Sequence, residues 1–228
     1  MKPPLRVLLV GAAGRMGKTI VDLAKDDPKI DLVAQCDLGD AIEPAMKRSD
    51  VVIDFSHSEA IEEICRVALQ HRRPLVIGTT GHSADQRTAI EKTAKAVPIV
   101  FASNFSVGVN TLFALTHSAT EILGRDFNAE IIETHHQTKK DAPSGTAKTL
   151  SEILSKARRL DDQIPIQSIR EGDVVGEHTV IFSGPGERLE LSHKARSREI
   201  FGRGALRAAH WVIGQPPNLY SMQDVLGL

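Results

Sequence analysis

The stretch from 133 to 147, ETHHQTKKDAPSGTA, places two histidines, two lysines and two carboxylates close together. Imidazole exchanges protons near neutral pH, while ammonium groups bind carboxylates and can donate protons. Gly145 and Thr146 open a predicted helix, and the N–H groups at a helix start attract anions. These residue types favour a small, strongly acidic substrate that is protonated during the reaction.

The two adjacent histidines depend on how the preceding strand ends. A strand is predicted from Phe127 to about Thr134; if it ran on through His136, the side chains of His135 and His136 would point in opposite directions. Both can serve one pocket only if the strand ends or twists there. A single histidine is often a satisfied core or interface residue, but with Lys139 four residues after His135 we favour a functional role.

The residues after Lys139 predict a turn followed by a helix. Lys140 and Asp141 are expected to be solvated or paired with each other. Pro143 lacks an N–H and helps to end one element before the next begins. Ser144 is a predicted helix cap, which would leave the first N–H groups of the helix for an anion.

A glycine-rich turn near the N-terminus indicates a dinucleotide site. Leu5–Val10 is a continuous apolar run, typical of a strand buried on both faces, and GAAGRMG follows it from Gly11 to Gly17 before a predicted helix. Such a turn can serve packing alone. Here Asp37 ends the next predicted strand, where its carboxylate can accept hydrogen bonds from an adenosine ribose, so we favour cofactor binding.

Asp37 also bears on the choice of cofactor. A carboxylate there repels a 2′-phosphate, and the neighbouring Leu38 supplies no cation. The pair modestly favours NADH over NADPH, although Lys47 or Arg48 could supply a cation from the next segment. Two later loops, 78–81 (GTTG) and 102–105 (ASNF), follow predicted strands and could reach the nicotinamide or its ribose, or be plain turns.

The predicted elements give a two-part architecture. Strands near 5–10, 31–36, 51–54, 75–77 and 98–101 alternate with helices near 19–25, 58–71 and 83–95, which indicates a doubly wound parallel sheet of the Rossmann type. A long helix over 107–123, strands near 164–169, 178–182 and 189–192, and a helix over 200–213 then predict an α+β unit with a mixed or antiparallel sheet. Hinges are expected near 104–106 and 203–206, which divide the chain into residues 1–105, 106–205 and 206–228.

Composition excludes several classes of function. The net charge of −1 and the single Trp and single Tyr argue against a nucleic-acid partner. No apolar run approaches the ~20 residues that span a bilayer, and the N-terminus shows no signal-peptide pattern. Cys36 and Cys65 form no metal-binding motif, so no metal site is expected; free buried thiols are favoured over a disulfide. A cytoplasmic protein is therefore expected.

The chain resembles the dihydrodipicolinate reductase family. The matching motifs run in order along nearly the whole chain. They are Val10–Gly17, Val52–Ser56, Gly78–Gly81, Asn104–Asn110, Glu133–His136, Lys139, Asp141–Ala147, Gly176–His178, Leu191–Ala195 and Tyr220–Leu226.

The resemblance implies a dinucleotide-binding domain of residues 1–105 and 206–228, and an inserted substrate-binding and oligomerisation domain of residues 106–205 that joins a homotetramer. It also implies NAD(P)H-dependent reduction of 4-hydroxy-tetrahydrodipicolinate, a cyclic dicarboxylate, to tetrahydrodipicolinate in the diaminopimelate pathway of lysine biosynthesis. It implies that His135 is the proton donor or acceptor and Lys139 a second proton donor. His136, Gly145 and Thr146 match contacts to the substrate carboxylates. The implied cofactor contacts are Gly11, Ala12, Ala13, Gly14, Arg15, Met16, Asp37, Gly78, Thr79, Thr80, Ala102, Ser103, Asn104 and Phe105.

One segment departs from the usual pattern of the family. Residues 38–50 form a shorter segment than the family usually has, and Leu38 stands where a basic residue often follows the acid.

Two other functions are less well supported by the sequence. A reductase of semialdehydes would need a nucleophilic cysteine at a domain junction, and one of sugars often relies on a Glu-Lys-Pro type motif; neither is found. A dinucleotide-binding sensor would have no need of His135, Lys139 and an anion-binding helix start.

Overall fold

A computed structural model describes residues 3–158 and 164–228, so residues 1, 2 and 159–163 of the predicted domains lie outside it. The chain divides into two compact units: unit 1 runs to Phe105 and resumes over Glu199–Gly227, and unit 2 is Ser106–Arg198. In chain order the elements are β1 (Leu5–Val10), α1 (Arg15–Lys25), β2 (Ile30–Cys36), α2 (Glu43–Arg48), β3 (Val51–Asp54), a 3-10 turn (Ser58–Ala60), α3 (Ile61–His71), β4 (Leu75–Ile77), α4 (Ala84–Ala94), β5 (Ile99–Phe101), α5 (Val107–Leu123), β6 (Asn128–His135), α6 (Gly145–Arg158), β7 (Ile166–Arg170), β8 (Gly176–Gly184), β9 (Glu187–Ala195), α7 (Glu199–Val212), β10 (Leu219–Tyr220) and α8 (Met222–Leu226).

Unit 1 contains a six-stranded parallel sheet in the order β10-β5-β4-β3-β1-β2. Its strands are apolar on both faces: Val7 and Leu9 of β1 belong to one core, and Leu8 and Val10 belong to the other. The chain turns from β2 back across β1 to β3, so the strand order reverses between β1 and β3. Ligands of such sheets bind at the carboxyl ends of the strands on either side of this reversal. The predicted Rossmann-type fold is confirmed.

Helix α7 explains why the second boundary differs from the predicted hinge at 203–206. The helix runs unbroken through these residues and belongs wholly to unit 1. A Cβ added at Gly202 would stand 2.7 Å from Leu23 Cδ1, and one at Gly204 would stand 1.8 Å from the carbonyl oxygen of Phe105. These close approaches hold the helix against unit 1, and the boundary therefore falls at residues 198/199.

Three short elements of unit 1 were not predicted. Helix α2 follows Ile42 with Pro44 in its first turn and buries Ala45 and Met46 against the sheet. Strand β10 has only two residues and pairs with β5, and α8 begins at a capping box in which Ser221 and Asp224 bond each other's backbone. None of these three elements contains an apolar run of three residues, the signal that predicts the equally short β3 and β4, so the sequence pattern does not reveal them.

Unit 2 contains a four-stranded mixed sheet in the order β7-β6-β8-β9. Strand β7 is parallel to β6, whereas β6, β8 and β9 are antiparallel to their neighbours. Helices α5 and α6 pack with the sheet, burying Leu112, Leu150 and Leu154 in a core with Val180 and Phe182. The predicted mixed α+β sheet is confirmed.

Among the described residues, no helix is both long enough and apolar enough to cross a membrane. Cys36 and Cys65 are both buried free thiols, in the core on one face of the parallel sheet. Burial raises the pKa of both thiols, which keeps them protonated and unreactive.

Candidate active site and cofactor cleft

Strand β6 carries Glu133 and His135 on the face that builds the core of unit 2. Its burial alternates, so that Ala129, Ile131, Glu133 and His135 all lie buried on one face. Glu133 has no exposed surface, and His135 is 8% exposed. The strand ends at His135, so the next residue, His136, is free of the strand's alternation. It is half-buried, and its Nδ1 lies 2.7 Å from the hydroxyl of Thr138.

The sheet register brings two further polar side chains to the same face. Glu133 is opposite His178 of β8, and His135 is opposite Arg170 of β7. Residues opposite each other on paired strands point to the same side of a sheet. Two adjacent pairs therefore form one cluster of Glu133, His135, Arg170 and His178.

Glu133 is the centre of this cluster. It accepts a short hydrogen bond from His135 Nδ1 on one carboxylate oxygen, and its other oxygen lies 2.9 Å from Arg170 Nη2. Burial alone would raise the pKa of Glu133, but hydrogen bonds from Ser168 and Arg170 and the charge of His135 hold it below its usual range. Glu133 is therefore an ionised, hydrogen-bonded carboxylate.

The imidazole of His135 is oriented by this bond. An ionised carboxylate can only accept, so Nδ1 of His135 carries the proton and Nε2 is the atom that can exchange one. Burial lowers the pKa of His135, Glu133 opposes that effect, and Lys139 and Arg170 add to the lowering. The imidazole can therefore take up and release a proton at Nε2, and Glu133 stabilises its protonated form.

His178 is a neutral member of the cluster. Its ring meets that of His135 edge-on, with centroids 5.1 Å apart, and its Nε2 lies 3.1 Å from Ser144 Oγ. The same hydroxyl oxygen accepts a hydrogen bond from the N–H of Ala147. Burial and, next, the charge of His135 lower the pKa of His178 to about 3.

The same hydroxyl links the cluster to the start of α6. Ser144 caps this helix through Ala147, and the first turn contains no acidic residue that would compete for an anion. Gly145 is exposed and Thr146 is half-buried at this helix start. The predicted anion-binding turn is therefore joined to the histidine cluster through Ser144 and His178.

Lys139 is paired with Asp141, whereas the sequence predicted that Asp141 would be solvated or paired with Lys140. The ammonium of Lys139 lies 2.8 and 2.9 Å from the two carboxylate oxygens of Asp141, while Lys140 is exposed. All three residues lie in the irregular segment between β6 and α6, where periodicity does not predict which side chains meet. This hydrogen bond lowers the pKa of Asp141.

The donor atoms of Glu133, His135 and His178 lie within 4.8 Å of one another, a spacing that a metal ion could also use. Their present bonds favour a hydrogen-bonded network instead. His135 already bonds Glu133, and the guanidinium of Arg170 balances the only carboxylate of the three, so a divalent cation would meet an adjacent positive charge.

Unit 1 holds a cleft of about 940 Å³ at the carboxyl ends of β1 to β4. Residues that belong to the predicted cofactor contacts and line it are Gly11, Ala13, Gly14, Arg15, Met16, Asp37, Gly78, Thr79 and Thr80. Ala12 lies in the core instead, and residues 102–105 do not line the cleft. Phe105 is 2% exposed, and its ring packs against that of Phe55.

The glycine turn at this cleft fits a dinucleotide diphosphate. Packing requires glycine at two positions of the turn. A Cβ on Gly11 would stand 2.4 Å from the carbonyl oxygen of Phe55, and a Cβ on Gly17 would stand 2.1 Å from the carbonyl oxygen of Gly11. Gly14 differs: it is exposed at the start of α1, where a helix turn without acidic residues offers N–H donors. The exposed glycine therefore leaves room for close approach of a phosphate.

Asp37 has a second task in this cleft. Both of its carboxylate oxygens lie within hydrogen-bond distance of the N–H of Ala13, at 3.0 and 3.1 Å. Its own N–H donates to Asp40 at 2.8 Å. The acid thus fixes the glycine turn while it lines the cleft.

Comparison with known proteins places the chain in a family. The model of the dihydrodipicolinate reductase N-terminus matches residues 5–105, and that of its C-terminus matches residues 108–226. The chain belongs to the dihydrodipicolinate reductase family. It is 47% identical to the 4-hydroxy-tetrahydrodipicolinate reductase of Akkermansia muciniphila and 43% identical to that of Syntrophus aciditrophicus, with 98% of each chain covered in both cases.

A solved structure has the same fold. Dipicolinate-bound dihydrodipicolinate reductase from Paenisporosarcina sp. TG-14 superposes with a TM-score of 0.84 at 23% identity, covering 97% of this chain and 98% of that one. At that identity the likeness shows the fold alone. The resemblance inferred from the motifs is confirmed by the family models and the relatives.

Sequence reasoning missed Arg170 and the parts played by Glu133 and His178; it predicted Ser144 as the cap of α6, but not its contact with His178. Glu133 and His178 stood in recognised motifs without a role, and nothing in the local sequence marked Arg170. Only the pairing of β6 with β7 and β8 brings these side chains to His135.

Proposed function

We propose that this protein reduces 4-hydroxy-tetrahydrodipicolinate to tetrahydrodipicolinate with NAD(P)H, in the diaminopimelate route to lysine. The observation that carries the proposal is the buried Glu133–His135 pair, held beside Lys139 and linked to the start of α6. This is a proton-transfer group next to two kinds of carboxylate-binding feature. Membership of the family supports the same reaction.

The cleft of unit 1 is proposed to hold the dinucleotide. When bound, a reduced nicotinamide supplies the hydride. The turn from Gly11 to Met16 would hold the diphosphate at the start of α1, and Thr79 and Thr80 line the cleft farther along the sheet edge. The loop after β5, which contains Ala102, Ser103, Asn104 and Phe105, is also proposed to contact the dinucleotide, although it does not line the cleft.

His135 is proposed to manage the proton. The substrate loses water, and the resulting conjugated ring gains electron density on reduction and must take up one proton. His135 can pass that proton through Nε2, because Nδ1 is committed to Glu133. A positioned acid typically contributes about 10²- to 10⁴-fold to such a step.

Lys139 and the start of α6 are proposed to bind the two substrate carboxylates. The ammonium of Lys139 bonds the carboxylate of Asp141, and this pairing supports a carboxylate-binding role for Lys139. A substrate carboxylate would take the place of Asp141, leaving Lys139 able to act as a second proton donor. His136, Gly145 and Thr146 would hold the other carboxylate.

We propose that NADH is the better donor. The adenosine end of the cleft is lined by Asp37, Asp40, Glu59 and Glu63, which would repel a 2′-phosphate. Leu38 is 83% exposed there and offers no positive charge. Lys47 and Arg48, the alternative cations, do not line the cleft, and Lys47 lies 3.5 Å from Glu43.

We further propose a cytoplasmic homotetramer assembled through the sheet of unit 2. Strand β9 lies at the edge of that sheet, where β8 is its one partner among the described strands, and its Leu189 is 39% exposed. An exposed edge strand is a natural surface for pairing between copies. Light scattering coupled to size exclusion would give a mass near four times 24.8 kDa if this is right.

The reaction is tested by a coupled assay with dihydrodipicolinate synthase, pyruvate and aspartate semialdehyde. Absorbance of the reduced nicotinamide is followed separately with NADH and NADPH. Loss of absorbance that depends on this protein, and is faster with NADH, is the expected result. No loss with either donor, for protein shown to bind NADH, would overturn the reductase assignment.

A further inference from the structure

Glu133 is a buried charge that direct contact with the substrate does not explain. It has no exposed surface, so it cannot touch a ligand in the site. Ionised groups are almost never fully buried unless they are paired, since removing a charge from water is costly. The protein retains this carboxylate at the one position of β6 whose side chain bonds His135.

We propose that Glu133 is a positioning residue that acts through His135. Its carboxylate fixes the imidazole with a proton on Nδ1 and stabilises the protonated ring, so that Nε2 is the atom that exchanges protons with the substrate. The role of His135 in the reaction is the proposed function given above, and this inference rests on it.

Arg170 makes the arrangement possible. Its Nη2 lies 2.9 Å from Glu133 and 2.6 Å from the carbonyl oxygen of Asp141, and its Nη1 bonds the carbonyl of Ile169 at 2.7 Å. The guanidinium therefore balances the buried carboxylate and also holds the segment that carries Lys139. One cation thus links the orientation of the proton carrier to the position of the substrate-binding loop.

Charged and titratable side chains face His135 from each element around it. Glu133 lies on its own strand, Arg170 on β7, His178 on β8, and Lys139 and Asp141 on the following loop; His193 of β9 lies next to His178. Glu133 raises the pKa of His135 through its charge and its hydrogen bond, whereas burial, Lys139 and Arg170 lower it. Removing the charge of Glu133 therefore disfavours the protonated ring.

The test compares Glu133→Gln with Glu130→Gln, an exposed position on the opposite face of the same strand. Glu133→Gln is expected to lower kcat by about 10- to 100-fold at neutral pH, with the KM for NADH within about two-fold. The basic limb of the kcat–pH profile is expected to move to lower pH, because His135 then loses its proton at lower pH. Glu133→Asp, which keeps the charge, is expected to keep the limb near its original position.

A merely structural role for Glu133 gives a different result: an equal loss at every pH and an unmoved basic limb. That result, or a Glu133→Gln profile that matches Glu130→Gln, would overturn the proposal.

A measurement without activity separates this inference from the proposed reaction. Nitrogen NMR of the unmodified protein, with the His135 signals identified by their absence in His135→Gln, reports which ring nitrogen carries the proton. A proton on Nδ1 is expected, whatever substrate the enzyme uses. A neutral ring protonated on Nε2 would overturn the inference even if the reductase assay succeeds. Because the measurement uses the unmodified protein, it does not depend on whether a Glu133 variant folds.

Discussion

Gly176 lies directly against the imidazole of His135. A Cβ built on Gly176 would stand 3.0 Å from His135 Nε2 and 3.3 Å from its Cδ2, closer than side-chain carbons normally approach. A side chain at residue 176 would therefore crowd the imidazole of His135. Because Nε2 is the proposed proton-exchanging atom, this contact makes a glycine on β8 part of the geometry of catalysis.

Gly176→Ala should therefore impair catalysis by displacing the ring. We expect kcat to fall by about tenfold, because small misplacements of a reacting group are costly, while NADH affinity is unchanged. Steady-state kinetics with Glu177→Gln as the control will show this, since residue 177 is next on the strand and points to the other face. Equal kcat values for the two variants would contradict the proposed packing role.

Lys139→Ala should act on the substrate rather than on the cofactor. We expect kcat to fall by about 10²-fold and the KM for the dicarboxylate to rise, because a carboxylate-binding ammonium and a proton donor are both lost. The exposed neighbour gives a matched control, and Lys140→Ala should retain nearly full activity. If both variants behaved alike, the distinct role of Lys139 would be wrong.

Leu38→Arg should improve the use of NADPH. The new guanidinium would face a 2′-phosphate among the acidic side chains of the cleft, and Leu38 is exposed, so the core is not disturbed. We expect kcat/KM for NADPH to rise about five- to ten-fold, with that for NADH little changed. Leu38→Gln should leave the ratio of the two donors as it is, and an equal change in both variants would refute the charge argument.

His178 should make the protein less stable in acid. Its pKa is about 3 in the folded state against about 6.5 when unfolded. Between these values the unfolded chain binds a proton that the folded chain does not, so the free energy of unfolding falls as pH is lowered from about 6.5 towards 3. The slope from this one group reaches about 1.4 kcal/mol per pH unit.

Denaturant unfolding of the wild type and His178→Gln at a series of pH values isolates this contribution. The amide of Gln can still accept from Ser144, so the cap of α6 is kept. The variant should lose stability less steeply between pH 6 and 4 than the wild type. Parallel curves would show that His178 does not contribute.

The sequence predicted the long helix α5 and the short buried strands β3 and β4 at their observed bounds, but not α2, β10 or α8. Helix α5 occupies the predicted residues 107–123, because a seventeen-residue apolar pattern is unambiguous. Helix α2 and strand β10 are too short to show a period. The predicted hinge at 203–206 falls inside α7, because Gly202 and Gly204 let this helix pack closely within unit 1.

The candidate site was predictable only where its residues are close in sequence. His135, Lys139 and the helix start at 145 lie within one motif, so their residue types suffice to suggest proton transfer to an acid. Arg170 and His178 reach the same cluster through strand register, which the sequence does not show. The pairing of Lys139 with Asp141 likewise depends on the local direction of the backbone.

The most direct test of the whole account is the coupled assay on His135→Gln, run beside the wild type, with NADH binding to each protein measured by fluorescence. We predict that kcat falls by at least about 10²-fold while the Kd for NADH stays within about two-fold, because His135 lies in unit 2 and the cofactor cleft is lined by unit 1. A variant that binds NADH normally and keeps wild-type turnover would contradict the proposal that His135 carries the proton.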